Sequence, residues 1–170
     1  APAICLTLKT GLIASLLSLL CCFVILTGLL HTSGFSLLRR ALAALVAVPH
    51  SAIAIGLVFL LAPSGWLIRI LSPAITGFDR PPDWNLVPDP YGWGLILGLM
   101  AKEIPFLLMV SLAAMATLPA RQFAQIGSSL GYGRLTSWVV LILPLIYRQI
   151  RLPMIAVLVF SLSVVDMALL

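Results

Sequence analysis

From Thr10 to Leu38 the chain carries no Asp, Glu, Lys or Arg. A helix needs about 20 apolar residues to cross roughly 30 Å of hydrocarbon, and backbone in lipid must satisfy its own polar groups. The run therefore predicts a membrane crossing over residues 10–30, longer than a secretory leader and without a small-residue cleavage site after it. The rest of the sequence agrees. With 62% hydrophobic residues, 9% charged residues and a mean hydropathy of +1.18, the chain is excluded from the soluble globular class. Its net charge of +5 is scattered rather than gathered on one face, which argues against nucleic acid as a partner. Cys5, Cys21 and Cys22 have no CxxC or metal-ligand spacing, and the adjacent pair reads as small packing residues.

Three further crossings are predicted, over 41–61, 91–118 and 154–170, giving an all-α, polytopic transmembrane helical bundle in one domain covering 1–170. Gly11, Ser15, Ser18 and Gly28 give the first span small residues of the kind that let helices approach closely in lipid. Pro49 falls inside the second span and predicts a kink there. Residues 62–90 form the longest connection: Trp66, Leu67, Ile70 and Leu71 with Arg69 suggest a short interfacial helix, and the Pro- and Asp-rich remainder is irregular. No internal repeat appears. Because the sequence starts without Met and stops within an apolar run, it is expected to be a piece of a longer chain, with at least one more span beyond Leu170.

Residues 119–153 are the other connection, and 119–144 is its informative part, PARQFAQIGSSLGYGRLTSWVVLILP. Phe123, Ile126 and Leu130 recur at i, i+3, i+7; Leu135, Trp138, Val139 and Ile142 recur at i, i+3, i+4, i+7. Two short amphipathic helices joined at Gly131-Tyr132-Gly133 are predicted, with glycine supplying the left-handed residue at the turn. If this elbow is cytoplasmic, that side holds Arg39, Arg40, Arg121, Arg134, Arg148 and Arg151. The other side then holds Lys9, Arg69 and Arg80 with Asp79, Asp83 and Asp89, in keeping with the positive-inside rule.

The elbow resembles the signature loop of ABC-importer permeases, the membrane subunits that work with a separate ATPase. In that loop an E-A-A triplet is followed by three residues, a Gly and, thirteen positions after the Gly, a Pro. Here Gln125-Ile126-Gly127 stand at the triplet, Gly131 at the Gly and Pro144 at the Pro; the acid is replaced and both alanines are changed. The order of spans is also similar to that family, and KEIPFLLMV at 102–110 and SLSVVD at 161–166 look most like the thiamine, ferric-iron and sulfate permeases. The resemblance implies a MetI-like fold in a bacterial inner membrane. It also implies a second permease half or subunit and a periplasmic substrate-binding protein, and alternating access driven by an ATP-binding subunit that uses ATP and Mg. No cofactor is implied for this chain. The ATPase-coupling residues would be Phe123, Gln125, Ile126, Gly127, Leu130, Gly131, Tyr132 and Pro144. The plain alternative is an amphipathic helix lying on the lipid surface.

Chemistry inside the bilayer points elsewhere. Lys102 and Glu103 fall near the middle of a span, where unpaired charge is costly. As neighbours in sequence they point about 100° apart on a helix and cannot satisfy each other. Asp166 is the expected partner of Lys102. Together with Pro49, His50 and Pro105 these residues either line a translocation path or lock helices together. His50 can take a proton or ligand, or simply bond a carbonyl freed by the kink. The loop at 62–90 could receive a binding protein or be an ordinary solvated loop. No GxxxxGK[ST], HExxH or GxSxG occurs, so ATP hydrolysis by a phosphate loop is excluded for these residues. Two alternatives remain: a proton-coupled transporter using Glu103 and Asp166, and a multi-span membrane enzyme using Glu103, Lys102 and His50.

Overall fold

The computed structural model describes residues 2–29, 35–81 and 91–163. They form α1 (Pro2–Leu29), α2 (Phe35–Ala47), α3 (His50–Leu61), α4 (Trp66–Leu71), α5 (Trp93–Thr117), α6 (Ala120–Ser129), α7 (Arg134–Ser137), a π-helical turn (Trp138–Ile142) and α8 (Leu143–Ser163). No strand occurs among the described residues, and four helices there are long and apolar enough to cross a membrane: Ile4–Gly28, His50–Leu71, Trp93–Thr117 and Arg134–Ser163.

α1 shows how the sequence selects its faces. Thr10, Ala14, Ser18, Cys22 and Leu26 repeat every four residues and are all buried, whereas Leu12, Leu16, Leu20 and Val24 are exposed. In a bilayer the covered face is the one whose small side chains permit close packing, and leucine can be left to lipid. That stripe lies on α5 and α8. A Cβ on Gly11 would sit 2.8 Å from Leu162 Cδ2, and the Ser15 and Ser161 hydroxyls are 3.3 Å apart. Gly28, expected to do the same, has none of the described residues within 4 Å of its Cβ position.

The spans alternate in direction. At one end Ala14, Ala54, Ile96 and Leu99 form a small apolar cluster, with a Cβ on Gly92 placed 2.5 Å from Thr10 Cγ2. Towards the other end a larger core gathers Cys22, Leu26, Leu42, Leu107, Leu108, Trp138, Ile142, Ile146 and Ile150. There the Trp138 indole donates to Thr27 Oγ1 at 2.9 Å, and Thr27 in turn donates to the Phe23 carbonyl. Trp138→Phe removes that donor and part of the buried bicyclic ring. It is expected to lower stability in detergent by more than the roughly 1 kcal/mol of one such bond, because a cavity is also left, measurable by thermal unfolding.

Three boundaries differ from those read in the sequence. The crossing-length helix His50–Leu71 takes in Trp66–Leu71, which the sequence assigned to the 62–90 connection. The second span breaks at Val48-Pro49 instead of kinking, so α2 and α3 are separate helices. The second half of the elbow is continuous with the last span: residues Arg134–Ser163 form one helical run, so the last helix begins well before residue 154. The boundary at 154 followed Arg148, Arg151 and Pro153, yet α8 continues through Pro153; the other proline of the run is Pro144. In a regular α-helix it would withhold a donor from Val140 and clash with that carbonyl. The π-helical turn widens the backbone just before it, with the Leu143 N–H reaching the Trp138 carbonyl. At 1.5 Å per residue the run is roughly 45 Å long, more than a bilayer core requires. Its arginine-bearing part can therefore lie at the interface. Residues 164–170, which complete the predicted fourth span, lie outside the described residues.

Candidate functional site

Lys102 and Glu103 stand on consecutive positions of α5 and diverge as helical geometry requires, each reaching a different part of the bundle. In a continuous helix the Leu45 carbonyl would accept from the nitrogen of residue 49, which is a proline without hydrogen. The Val46 carbonyl would accept from His50, which instead begins a new helix. These carbonyls are orphaned at the end of α2. The Lys102 ammonium donates to all of this cluster: to Leu45 O at 3.4 Å, to Val46 O at 2.5 Å and to Val48 O. A cation is also what the negative end of a helix dipole favours.

Glu103 turns the other way and is only 5% exposed. Its Oε1 accepts from the Ser161 hydroxyl on α8, while Oε2 has no hydrogen-bond partner among the described residues. The Ser18 hydroxyl on α1 flanks the carboxyl and is likewise buried without a partner. Ser18 and Ser161, from two spans, thus flank one carboxyl group, and Ser15 lies beside Ser161. These serines escaped the sequence reading of the charged pair; the four-residue spacing of Thr10, Ala14, Ser18 and Cys22 was the available signal.

Next to both charges lies a cavity of about 270 Å³ lined by Val46, His50, Lys102, Glu103, Phe106 and Phe160, among others. The His50 ring packs on Phe160 with centroids 4.6 Å apart. Pro105 is buried within α5, which continues through it. Pro49, His50, Lys102, Glu103 and Pro105 are thus grouped around the broken span, whereas Asp166 lies outside the described residues. No cluster of three or more His, Cys, Asp or Glu occurs among the described residues.

The second candidate site is the elbow. α6 ends in a pair of reversed bonds, Tyr132 N–H to Gly127 O at 2.9 Å and Gly131 N–H to Ser128 O at 3.1 Å. Gly131 sits at φ +75°, the left-handed cap position that glycine fills at least cost. Gly127 is required for a different reason: a Cβ there would lie 2.7 Å from Ser137 Cβ, so α6 crosses the start of the last helical run at backbone contact. Phe123 is half-buried against the large core and so points inward, not outward as an anchor should. Ile126 and Leu130, one turn apart, are 50% and 61% exposed, with Tyr132 and Leu135 also exposed. Gln125 and Pro144 are exposed, and the Gln125 carbonyl accepts from the Ser128 and Ser129 hydroxyls.

A bundle of membrane-length helices with a discontinuous span, charge at mid-depth and an apolar elbow defines the class: a polytopic membrane protein built to act on something in or beside the bilayer. Comparison with known proteins narrows this. Over 163 residues, 96% of the chain, it is 31% identical to the inner membrane ABC transporter permease protein YnjC of Escherichia coli (strain K12). The chain spans 30% of that protein's length. No protein-family model matches the chain, and no solved structure matches it.

Proposed function

We propose that this chain is a membrane-embedded portion of an ABC-importer permease, multi-pass in a bacterial inner membrane, with the elbow at 119–144 as the seat of a separate ATP-hydrolysing subunit. The observation that carries the reading is the two-sidedness of the elbow. Its inner side is fixed to the bundle through Gly127 on Ser137 and Phe123 on the core, while Ile126, Leu130 and Tyr132 face outward. A rigid helix with an unfilled apolar face is what a grooved partner takes up. Sequence similarity to an ABC transporter permease supports the same reading.

In this scheme the elbow end is cytoplasmic, in line with Arg40, Arg134, Arg148 and Arg151 lying towards it in the chain. ATP and Mg belong to the partner. A second permease half or subunit and a periplasmic substrate-binding protein complete the system, with lipid around the exposed leucines. The cavity beside Lys102 and Glu103 lies on the translocation path, which opens alternately to the two sides as the partner closes on nucleotide. The similarity to a permease does not favour a proton-driven transporter or a membrane enzyme built on Glu103, Lys102 and Asp166.

The test is co-purification. The full-length protein extracted in detergent is expected to carry an ATPase subunit, and Gly131→Val is expected to lose it while still inserting in the membrane. A β-branched residue at a left-handed position costs roughly 1–2 kcal/mol, enough to displace the turn. Recovery of the native protein without any ATPase subunit would overturn the reading.

A further inference from the structure

The three carbonyls at the break of the second span converge on one point, and that point is filled by an ammonium group belonging to another helix. Lys102 has three N–H donors, and three carbonyls receive them. Its four-carbon stem passes along the cavity that His50, Phe106 and Phe160 also line, so the group is half-buried and still reachable. Among the described residues no carboxylate is its partner, and the neighbouring Glu103 is engaged with Ser161.

We propose that the end of α2 is a cation seat for an alkylammonium group, occupied in the native protein by Lys102 as a tethered ligand that holds α2 and α3 in their broken arrangement. Lys102 is then a positioning residue for the hinge at Val48-Pro49. The chemistry follows from the break. Orphaned carbonyls in lipid must be paired, and Pro49 removes the backbone donor that would normally serve. Water could pair them, but a cation adds the favourable interaction with the helix dipole. An ammonium is better suited than a guanidinium to three acceptors around one point, since its donors spread from a single nitrogen. This inference goes beyond the transport reading and does not depend on it, because the seat can be probed in the isolated full-length protein.

The experiment is chemical rescue. Lys102→Ala deletes the three outer carbons and the nitrogen, which n-propylammonium replaces. Melting temperature in detergent is expected to fall in Lys102→Ala and to rise saturably with n-propylammonium, because a ligand that binds only the folded state stabilises it by mass action. The native protein, whose seat is filled, and Lys102→Met, whose stem blocks the channel, are expected to show no such rise. Tetramethylammonium, which has charge but no N–H, is expected to rescue nothing. If Lys102→Ala does not accumulate, expression with n-propylammonium should restore a monodisperse protein, and Lys102→Arg should be closer to native than Lys102→Met. The inference is overturned if Lys102→Ala melts like the native protein, if propylammonium and tetramethylammonium act alike, or if Lys102→Arg is no better than Lys102→Met.

Discussion

Gly127→Leu is expected to detach the elbow from the bundle. The position has no room: the first carbon of any side chain meets Ser137 Cβ at 2.7 Å and Leu141 Cδ1 at 3.3 Å. Ser137 is itself buried at the start of the last helical run, so it cannot swing aside. Overpacking of this kind costs about 1–3 kcal/mol where the surroundings can adjust, and more where backbone must move. α6 should separate from Ser137, exposing backbone around Arg121 and Arg134 to protease. Limited trypsin digestion in detergent should cut the variant at the elbow far faster than the native protein, and the ATPase subunit proposed to dock there should be lost together with the fold. Ile126→Asp is the companion variant. It changes only an exposed side chain, so the protease pattern should stay native while the ATPase is still lost. Native resistance to trypsin in Gly127→Leu would show that the crossing is not fixed by this glycine.

The second large effect is expected at Ser161. Its hydroxyl is the hydrogen-bond partner of Glu103 Oε1, and Oε2 has none among the described residues. Ser161→Ala leaves the buried carboxyl without either bond, a loss of about 2–3 kcal/mol when the acceptor is charged or fully enclosed. Glu103→Met removes the group that demanded the bond. The double variant Ser161→Ala/Glu103→Met should therefore recover most of the stability lost by Ser161→Ala alone, since replacing both partners with apolar groups is close to neutral. Denaturant-induced unfolding of the four proteins supplies the cycle. A Ser161→Ala protein as stable as the native one would mean that the carboxyl has found another donor.

These two sites also show what the sequence could and could not convey. The spans were legible because lipid imposes length and apolarity on any helix that crosses it, and the turn at Gly131 was legible because few residues tolerate its backbone. Gly127 was legible as a point of close approach, though not what approaches it: Ser137 lies ten residues away, beyond the range of helical periodicity. Phe123 shares a face pattern with Ile126 and Leu130, yet periodicity does not state which edge of that face is covered, and Phe123 is the one turned to the core. The helix bounds within 134–163 differ because the stretch ending at Pro153, with Arg148 and Arg151, was set apart from the last span, whereas α8 continues through Pro153. For Lys102 the sequence pointed to Asp166, which lies outside the described residues. The carbonyls that its ammonium reaches could not be read from the sequence, because they are freed only where Pro49 has opened the helix.

The junction between α5 and α6 is two residues, Leu118 and Pro119. So short a joint leaves no slack, and α5 behaves as a lever with the elbow at one end and Lys102, pinned to the broken span, as its fulcrum. From the fulcrum the arm to Thr117 is roughly 22 Å and the arm to Trp93 roughly 14 Å at 1.5 Å per residue. A tilt of about 5° would carry the elbow end some 2 Å one way and the Trp93 end about 1 Å the other. Motion fed in at one membrane face would thus arrive at the opposite face reversed in sign and reduced in amplitude.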